Sequence, residues 1–261
     1  MAGSGGELPG RRPTSIPVLY RDPHLLAVAK PSGLVVHRGW ARDGVVLMDL
    51  AREVAGRRVY PLHRLDRGTS GAVLFAFESE LVTRFQAQLH DGGADKRYLA
   101  LVRGHPPASG TVDHPVPKTR KSKERRPAVT DYRSLAVAGR YALVEARPRT
   151  GRLHQIRRHM KHRSWPILGD VHYGKGEHNR LLRERHGLAR LALHAFEIQV
   201  DHPATGERLT IRAPLPRDLA DPLRSLGLEP GLDGVLEELS VEVEVEVGEG
   251  ASEGAVGAVE D

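Results

Sequence analysis

Two short segments hold most of the residues that could do chemistry in this 261-residue chain. The first runs Pro61-Leu-His-Arg-Leu-Asp-Arg-Gly-Thr-Ser-Gly71. Asp66 lies there in sequence between Arg64 and Arg67, and nearby cations favour the ionised carboxylate, the form that acts as nucleophile or base. An aspartate in a glycine-rich turn also serves simply by tying the backbone together through hydrogen bonds. This segment alone leaves both readings open. The second runs Arg149-Thr-Gly-Arg-Leu-His-Gln-Ile-Arg-Arg-His159. Read as a helix capped by Thr150, it aligns Leu153, Ile156 and Met160 in one apolar stripe. Arg157 falls at the edge of that stripe and Arg158 further toward solvent. An arginine turned into a protein is costly unless a carboxylate or phosphate pairs with it, which makes Asp66 its best-placed partner by context. The alternative is a stem that packs while the charged head reaches water.

Other chemistries find less support. His154, His159 and His162 are close in sequence, but their spacing does not converge like an HExxH pair and no acidic motif accompanies them, so no metal is expected. The chain has no cysteine, which excludes disulfides, thiolate catalysis and thiolate-ligated zinc together and suits a reducing, cytoplasmic setting. The opening MAGSGGELPGRRPTSIP has two arginines but no apolar run after them, and nowhere do apolar residues approach the roughly 18 in a row that a membrane span needs. Neither secretion nor a membrane partner is expected.

The net charge of +6 conceals two unlike regions. Glu229 to Asp261 contains 11 acidic residues and no Lys or Arg, which leaves 39 basic and 22 acidic groups, or +17, on residues 1–228. Such an excess attracts polyanions, and counterion release can supply much of the affinity for nucleic acid. It serves solubility equally well. Lys118-Thr-Arg-Lys-Ser-Lys-Glu-Arg-Arg126 concentrates six of these positive charges in nine residues. It reads either as an RNA-contact loop or as a solvated one.

The elements that must position these groups alternate between strand and helix patterns. Gly71–Phe77 is a continuous apolar run, the pattern of a strand buried on both faces. Ser79 can then cap a helix bearing Leu81, Phe85 and Leu89 at intervals of four, with Gly92 just beyond its end. Further strands are predicted at 97–103, 141–146, 195–200 and 208–212, the last two joined as an antiparallel hairpin by His202-Pro-Ala-Thr-Gly206. The expected fold is α+β, a single catalytic domain over 16–228 with a central mixed or antiparallel sheet flanked by helices. Residues 1–15 and the acidic 229–261 are expected to be disordered tails, the Val/Glu alternation of Val241–Val247 notwithstanding.

The motifs together resemble the RluA family of pseudouridine synthases: Lys30-Pro-Ser-Gly-Leu-Val-Val-His37, HRLDRGTSG at 63–71, Lys96-Arg-Tyr98, RTGRLHQIRRH at 149–159, Gly169-Asp170 with Tyr173-Gly174, and Leu193-His-Ala195. They extend from residue 16 to about 215, and HRLDRGTSG joined to RTGRxHQIRxH is the most specific part. The resemblance implies the pseudouridine synthase fold and isomerisation of a uridine flipped out of structured RNA. It makes Asp66 the catalytic aspartate, Tyr98 the tyrosine stacked on the target base, Arg157 the partner of the aspartate, and Arg64 the arginine inserted where the nucleotide leaves its stack. From periodicity alone Tyr98 would be a core strand aromatic. The other motif residues expected at the substrate are His63, Leu65 and Arg67, Lys30 and Lys96, and Arg149, Thr150, His154, Gln155 and Ile156.

Uracil leaves its ribose at N1 and rejoins through C5 without redox change, so no cofactor is implied. Whether Asp66 attacks the anomeric carbon or removes a sugar proton stays open, and Tyr98 is a candidate base for the C5 proton. The family pattern begins near Ile16 and leaves no room for the S4-type RNA-binding domain of many members. VHRGW at 36–40, PAVTDYR at 127–133, RTGRLHQIRRHMKHRSWPILGD at 149–170 and LARLALHA at 188–195 resemble the branch that modifies the T-stem uridine of tRNA at position 65. The partner expected is therefore RNA, tRNA first and ribosomal RNA as the alternative. No obligate protein partner is expected, which is consistent with a monomer. A non-catalytic RNA-binding or folding module is the rival from another class. The acidic tail is expected to compete with RNA for the basic face.

Overall fold

The computed structural model describes residues 15–38, 44–91, 93–229 and 231. Almost all of both expected tails, the Val241–Val247 alternation, Trp40 and Gly92 lie outside the described residues. In chain order the elements are β1 (Val18–Arg21), β2 (Leu25–Lys30), α1 (Leu47–Ala55), β3 (Tyr60–Pro61), β4 (Ser70–Ala76), α2 (Ser79–Asp91), β5 (Asp95–Arg103), β6 (Ser109–Asp113), β7 (Val116–Pro117) and β8 (Arg125–Arg126). They continue with β9 (Val129–Ala138), β10 (Tyr141–Pro148), α3 (Gln155–His162), α4 (Gly176–His186), β11 (Leu193–Asp201), β12 (Arg208–Arg212) and α5 (Arg217–Ser225).

Ten strands form one mixed sheet in the order β1-β2-β4-β11-β5-β10-β9-β6, with β12 on β11 and β3 on β4. The pairing is antiparallel except between β4 and β11, where Ser70 and Gly71 face His194 and Ala195. Among the described residues strand β7 pairs with β8 alone, as a separate ribbon.

The unbroken apolar run in β4 reflects cover on both faces. Val73 and Phe75 pack under α1 with Leu47, Leu50 and Ala51. Ala72, Leu74 and Ala76 face the other way, against Leu81 and Phe85 of α2. A third core lies between β5, β10 and β11 and the helices α3, α4 and α5. The expected β11–β12 hairpin is present, with Asp201 opposite Arg208. Its turn is organised by buried His202, whose Nδ1 accepts from the amides of Ala204 and Thr205 while Nε2 bonds Asp22.

Candidate active site

Asp66 sits in the loop between β3 and β4, and that loop is fixed from three directions. The Thr69 amide donates to the Asp66 carbonyl, Gly33 N–H to the Arg67 carbonyl and Ser32 Oγ to the Gly68 carbonyl. Leu65 anchors the loop in the core beneath α1. Gly71 closes it: at φ +127° a Cβ there would come 2.1 Å from the Ala195 carbonyl oxygen, so only glycine permits β4 and β11 to approach so closely.

Lys30 belongs to this scaffold and does not reach the substrate cleft, which corrects its expected role. It is almost wholly buried, and Nζ donates to the carbonyls of Pro31, Leu34 and Arg67 at 2.9, 2.6 and 3.1 Å. All three ammonium protons are thus spent on holding the loop's backbone.

The second segment folds differently from its expected helix. Helix α3 begins at Gln155, not beside Thr150, and its first neighbour His154 takes a left-handed conformation at φ 53° and ψ 30°. Thr150 therefore caps no helix. Its hydroxyl donates to Gln155 Oε1 at 2.6 Å and accepts from the Val129 amide. Gln155 Oε1 also accepts from Arg152 N–H, while Nε2 donates to the Val129 carbonyl and Thr130 Oγ1. This side chain ties the loop before α3 to β9, and no side chain caps the helix itself. Leu153 lies outside the helix and lines the cleft, so the buried stripe consists of Ile156 and Met160.

Arg157 is buried and its charge is fully matched. Nη1 donates to Asp66 Oδ2 at 2.9 Å, and Nε and Nη2 form a bidentate pair with Asp170 at 2.7 and 2.9 Å. Burial disfavours the cation, but the two carboxylates outweigh it and raise the Arg157 pKa. Burial likewise pushes the Asp170 carboxyl up, yet Arg157 and the amides of His172 and Tyr173 hold it below the usual range. The Arg157 guanidinium also lies over the Tyr173 ring, 5.1 Å from its centroid.

The bond to Arg157 engages Oδ2 and leaves Oδ1 of Asp66 without a bond to it, and Asp66 lines a cleft of two adjoining lobes, about 540 and 700 Å³. Both are walled by Arg64, Leu65, Asp66, Leu153, His154 and Arg157. The smaller adds Tyr98, His63, Lys96, Thr150, Gln155 and Ile156. The larger adds Arg67, Arg190, His37 and His172. Burial, then the charge of Asp66, raises the Tyr98 pKa, so the ring enters the cleft as a neutral phenol. Burial, then Lys96, pushes His63 down to about 3, and its Nε2 accepts from the Leu74 amide. Burial also lowers Lys96.

Arg149 is the other expected contact that the cleft does not include. It is exposed and paired with Asp131 on the neighbouring strand. Conversely, the basic 118–126 segment reaches further in than its composition could say. It forms the tip of the β7–β8 ribbon, anchored by Arg158 Nη1 donating to the Pro117 carbonyl at 2.7 Å. Lys118 lines the smaller lobe and Arg120 the larger.

The three histidines considered as metal ligands do not converge. His159 is tied to Thr130 Oγ1 and the His114 carbonyl, and His162 stacks on His114. Among the described residues no group of three or more His, Asp, Glu or Cys could hold a metal ion. Sequence reasoning assigned no role to Asp170, Tyr173 or Arg190. The Gly169-Asp170 pair was visible, and Gly169 at φ +72° lies against the Arg190 carbonyl, but its partner Arg157 is 13 positions away.

Residues 24–162 match the family model described as RNA pseudouridylate synthase. A tRNA pseudouridine synthase C of Pectobacterium carotovorum is 41% identical over 222 residues, covering 77% of this chain and 59% of that longer protein. Proteins of the same name from Pasteurella multocida and Vibrio cholerae are 41% and 40% identical, with 91% and 90% of their lengths covered. Among solved structures, human RNA pseudouridylate synthase domain containing 4 superposes with a TM-score of 0.68 at 30% identity, covering 81% of this chain and 93% of that one. Human RNA pseudouridylate synthase domain containing 1, at 24% identity and TM-score 0.65, shares the fold.

Proposed function

The chain belongs to the RluA family of RNA pseudouridine synthases, and from that premise we propose that it isomerises a uridine of tRNA, the T-stem uridine at position 65, with Asp66 as the catalytic carboxylate. The observation that carries this reading is the Asp66–Arg157–Asp170 arrangement at the wall between the two lobes. Arg157 holds one oxygen of Asp66 and leaves the other without a bond to it. A guanidinium clamped by a second carboxylate cannot swing away, so the reactive oxygen is positioned before substrate arrives.

The target nucleotide flips into the smaller lobe, where uracil stacks on Tyr98 and Oδ1 of Asp66 meets the ribose. The N1–C1′ bond breaks, the base turns, and the C5–C1′ bond forms; the C5 proton is lost and N1 regains one. The balance needs no oxidant or reductant. A raised pKa favours Tyr98 as a stacking ring over a resident phenolate base. Arg64, exposed at the junction of the lobes, occupies the place the nucleotide leaves, and Lys118 and Arg120 of the ribbon take phosphates on either side. The 40–41% identity to proteins named tRNA pseudouridine synthase C supports tRNA as the substrate.

The test is tritium release from tRNA carrying uridine labelled at C5, with ribosomal RNA in parallel. Wild type should release label from tRNA, and Asp66→Asn should reduce the rate by at least about 10³ while binding RNA with nearly unchanged affinity. Release from ribosomal RNA alone would overturn the substrate. Release by the mutant at the wild-type rate would overturn the role of Asp66.

A further inference from the structure

His154 stands at the wall shared by both lobes, in a left-handed backbone conformation that is unfavourable for a non-glycine residue. A residue preceding a helix ordinarily takes extended angles. Here the left-handed turn delivers the imidazole to Asp66, with Nε2 3.8 Å from Oδ1, the oxygen that Arg157 leaves unbonded.

The contacts around the ring decide which nitrogen carries the proton. Arg158 Nε can only donate, and it donates to Tyr173 Oη at 2.9 Å. That bond uses one of the two lone pairs of Tyr173 Oη and leaves the hydroxyl proton for His154 Nδ1, 3.1 Å away, the arrangement required when Nε2 faces a carboxylate. Nδ1 is then the acceptor and Nε2 carries the hydrogen. The opposite tautomer would aim the Nε2 lone pair at a carboxylate oxygen, which is repulsive. Burial, aided by Arg157 and Arg158 against the pull of Asp66, pushes the His154 pKa down to about 4, so the ring is neutral at physiological pH.

We propose that Arg158 and Tyr173 lock His154 as a neutral Nε2–H donor for the 2′-hydroxyl oxygen of the target ribose. The proposal rests on the reading of Asp66 above. Any ribose carbon that meets Oδ1 brings its own oxygen substituents within reach of Nε2. The ring oxygen loses electron density as the glycosidic bond breaks, so a donor there would oppose the reaction, whereas the 2′-oxygen remains an acceptor throughout. A neutral N–H fits this task better than an imidazolium, which would compete with Arg157 for Asp66.

Two measurements test it. Nitrogen-15 spectra of histidine-labelled protein, with His154 assigned by its loss in His154→Gly, should show protonated Nε2 and bare Nδ1, and Tyr173→Phe should mix the tautomers. A protonated Nδ1 in the wild type would overturn the lock. Second, RNA affinity is measured in the Asp66→Asn background for tRNA with uridine or 2′-deoxyuridine at the target. His154→Gly, which suits the left-handed backbone, should weaken binding of the uridine RNA about fivefold and leave the deoxyuridine RNA unchanged. Equal loss on both, or none on either, would overturn the contact. Failure of tritium release by wild type on every RNA would instead overturn the underlying reading of function.

Discussion

Arg157 is the residue on which this site turns, and its dependence on Asp170 gives a prediction that sequence alone could not supply. Asp170 has no exposed side-chain surface and forms two of the three bonds that Arg157 makes. Replacing it by Asn leaves a buried guanidinium whose charge is paired with Asp66 alone, which should cost about 3 kcal/mol of stability in denaturant titration and lower kcat more than it raises KM. The pH dependence follows from the same pair. Because the folded carboxyl titrates below its unfolded value, its contribution is fully present above about pH 4 and is lost as pH falls through the folded pKa. Asp170→Asn should therefore flatten the acid limb of a Tm-against-pH curve; an unchanged limb would place the acid sensitivity elsewhere. Asp66 and Arg157 were legible because their residue types are costly without a partner. Lys30 was misread for a related reason: a lysine's charge is visible in sequence, whereas its burial among three carbonyls is not.

At the scale of elements, runs with a strong local signature were read correctly. Strand β4, helix α2 and the β11–β12 hairpin lie where apolar continuity, four-residue spacing and turn residues put them. The start of α3 was misplaced by four to five residues because Thr150 satisfies the capping rule, while its hydroxyl is spent on Gln155 and the helix starts after the left-handed His154 without a side-chain cap. Helices α1, α4 and α5 were not read at all, although α1 ends at Gly56 in the left-handed conformation that commonly terminates helices. The close approach of β4 and β11 is a property of two elements together, and it can be isolated. Gly71→Ala meets the Ala195 backbone at 2.1 Å and should cost about 3 kcal/mol or more. Gly33→Ala also has a positive φ but open space around it, so it should cost only about 1 kcal/mol of backbone strain. Similar losses for the two in urea titration would refute the crowding argument. Because Asp66 lies on the loop that β4 and β11 hold, Gly71→Ala should also lose activity in whatever fraction remains folded.

The whole-molecule features divide in the same way. The α+β class and the excess of positive charge were legible from composition and periodicity, but strand order was not. Nothing local says that β11, far along the chain, inserts between β4 and β5 and thereby aligns Tyr98 with Ala195 beside the Asp66 loop. Charge distribution leads to the last prediction. The described chain ends against β9, where Gly231 packs on Leu135 and Ala136, while the other end of that strand, at Val129, adjoins the cleft through Gln155. Six residues of strand separate Ala136 from Thr130, roughly 20 Å. The 30 residues after Gly231 hold 10 acidic groups and no Lys or Arg, and a chain of that length spans up to roughly 100 Å when extended, so reach does not limit contact with the cleft. Removing them changes the formal charge from +6 to +16. A chain ending at Gly231 should bind tRNA several-fold more tightly at about 50 mM salt, with the difference vanishing near 1 M, where charges beyond roughly 3 Å are screened. A gain that persists at high salt would indicate steric obstruction by the tail, and equal affinity at every salt concentration would mean that the acidic segment does not compete with RNA for the basic face.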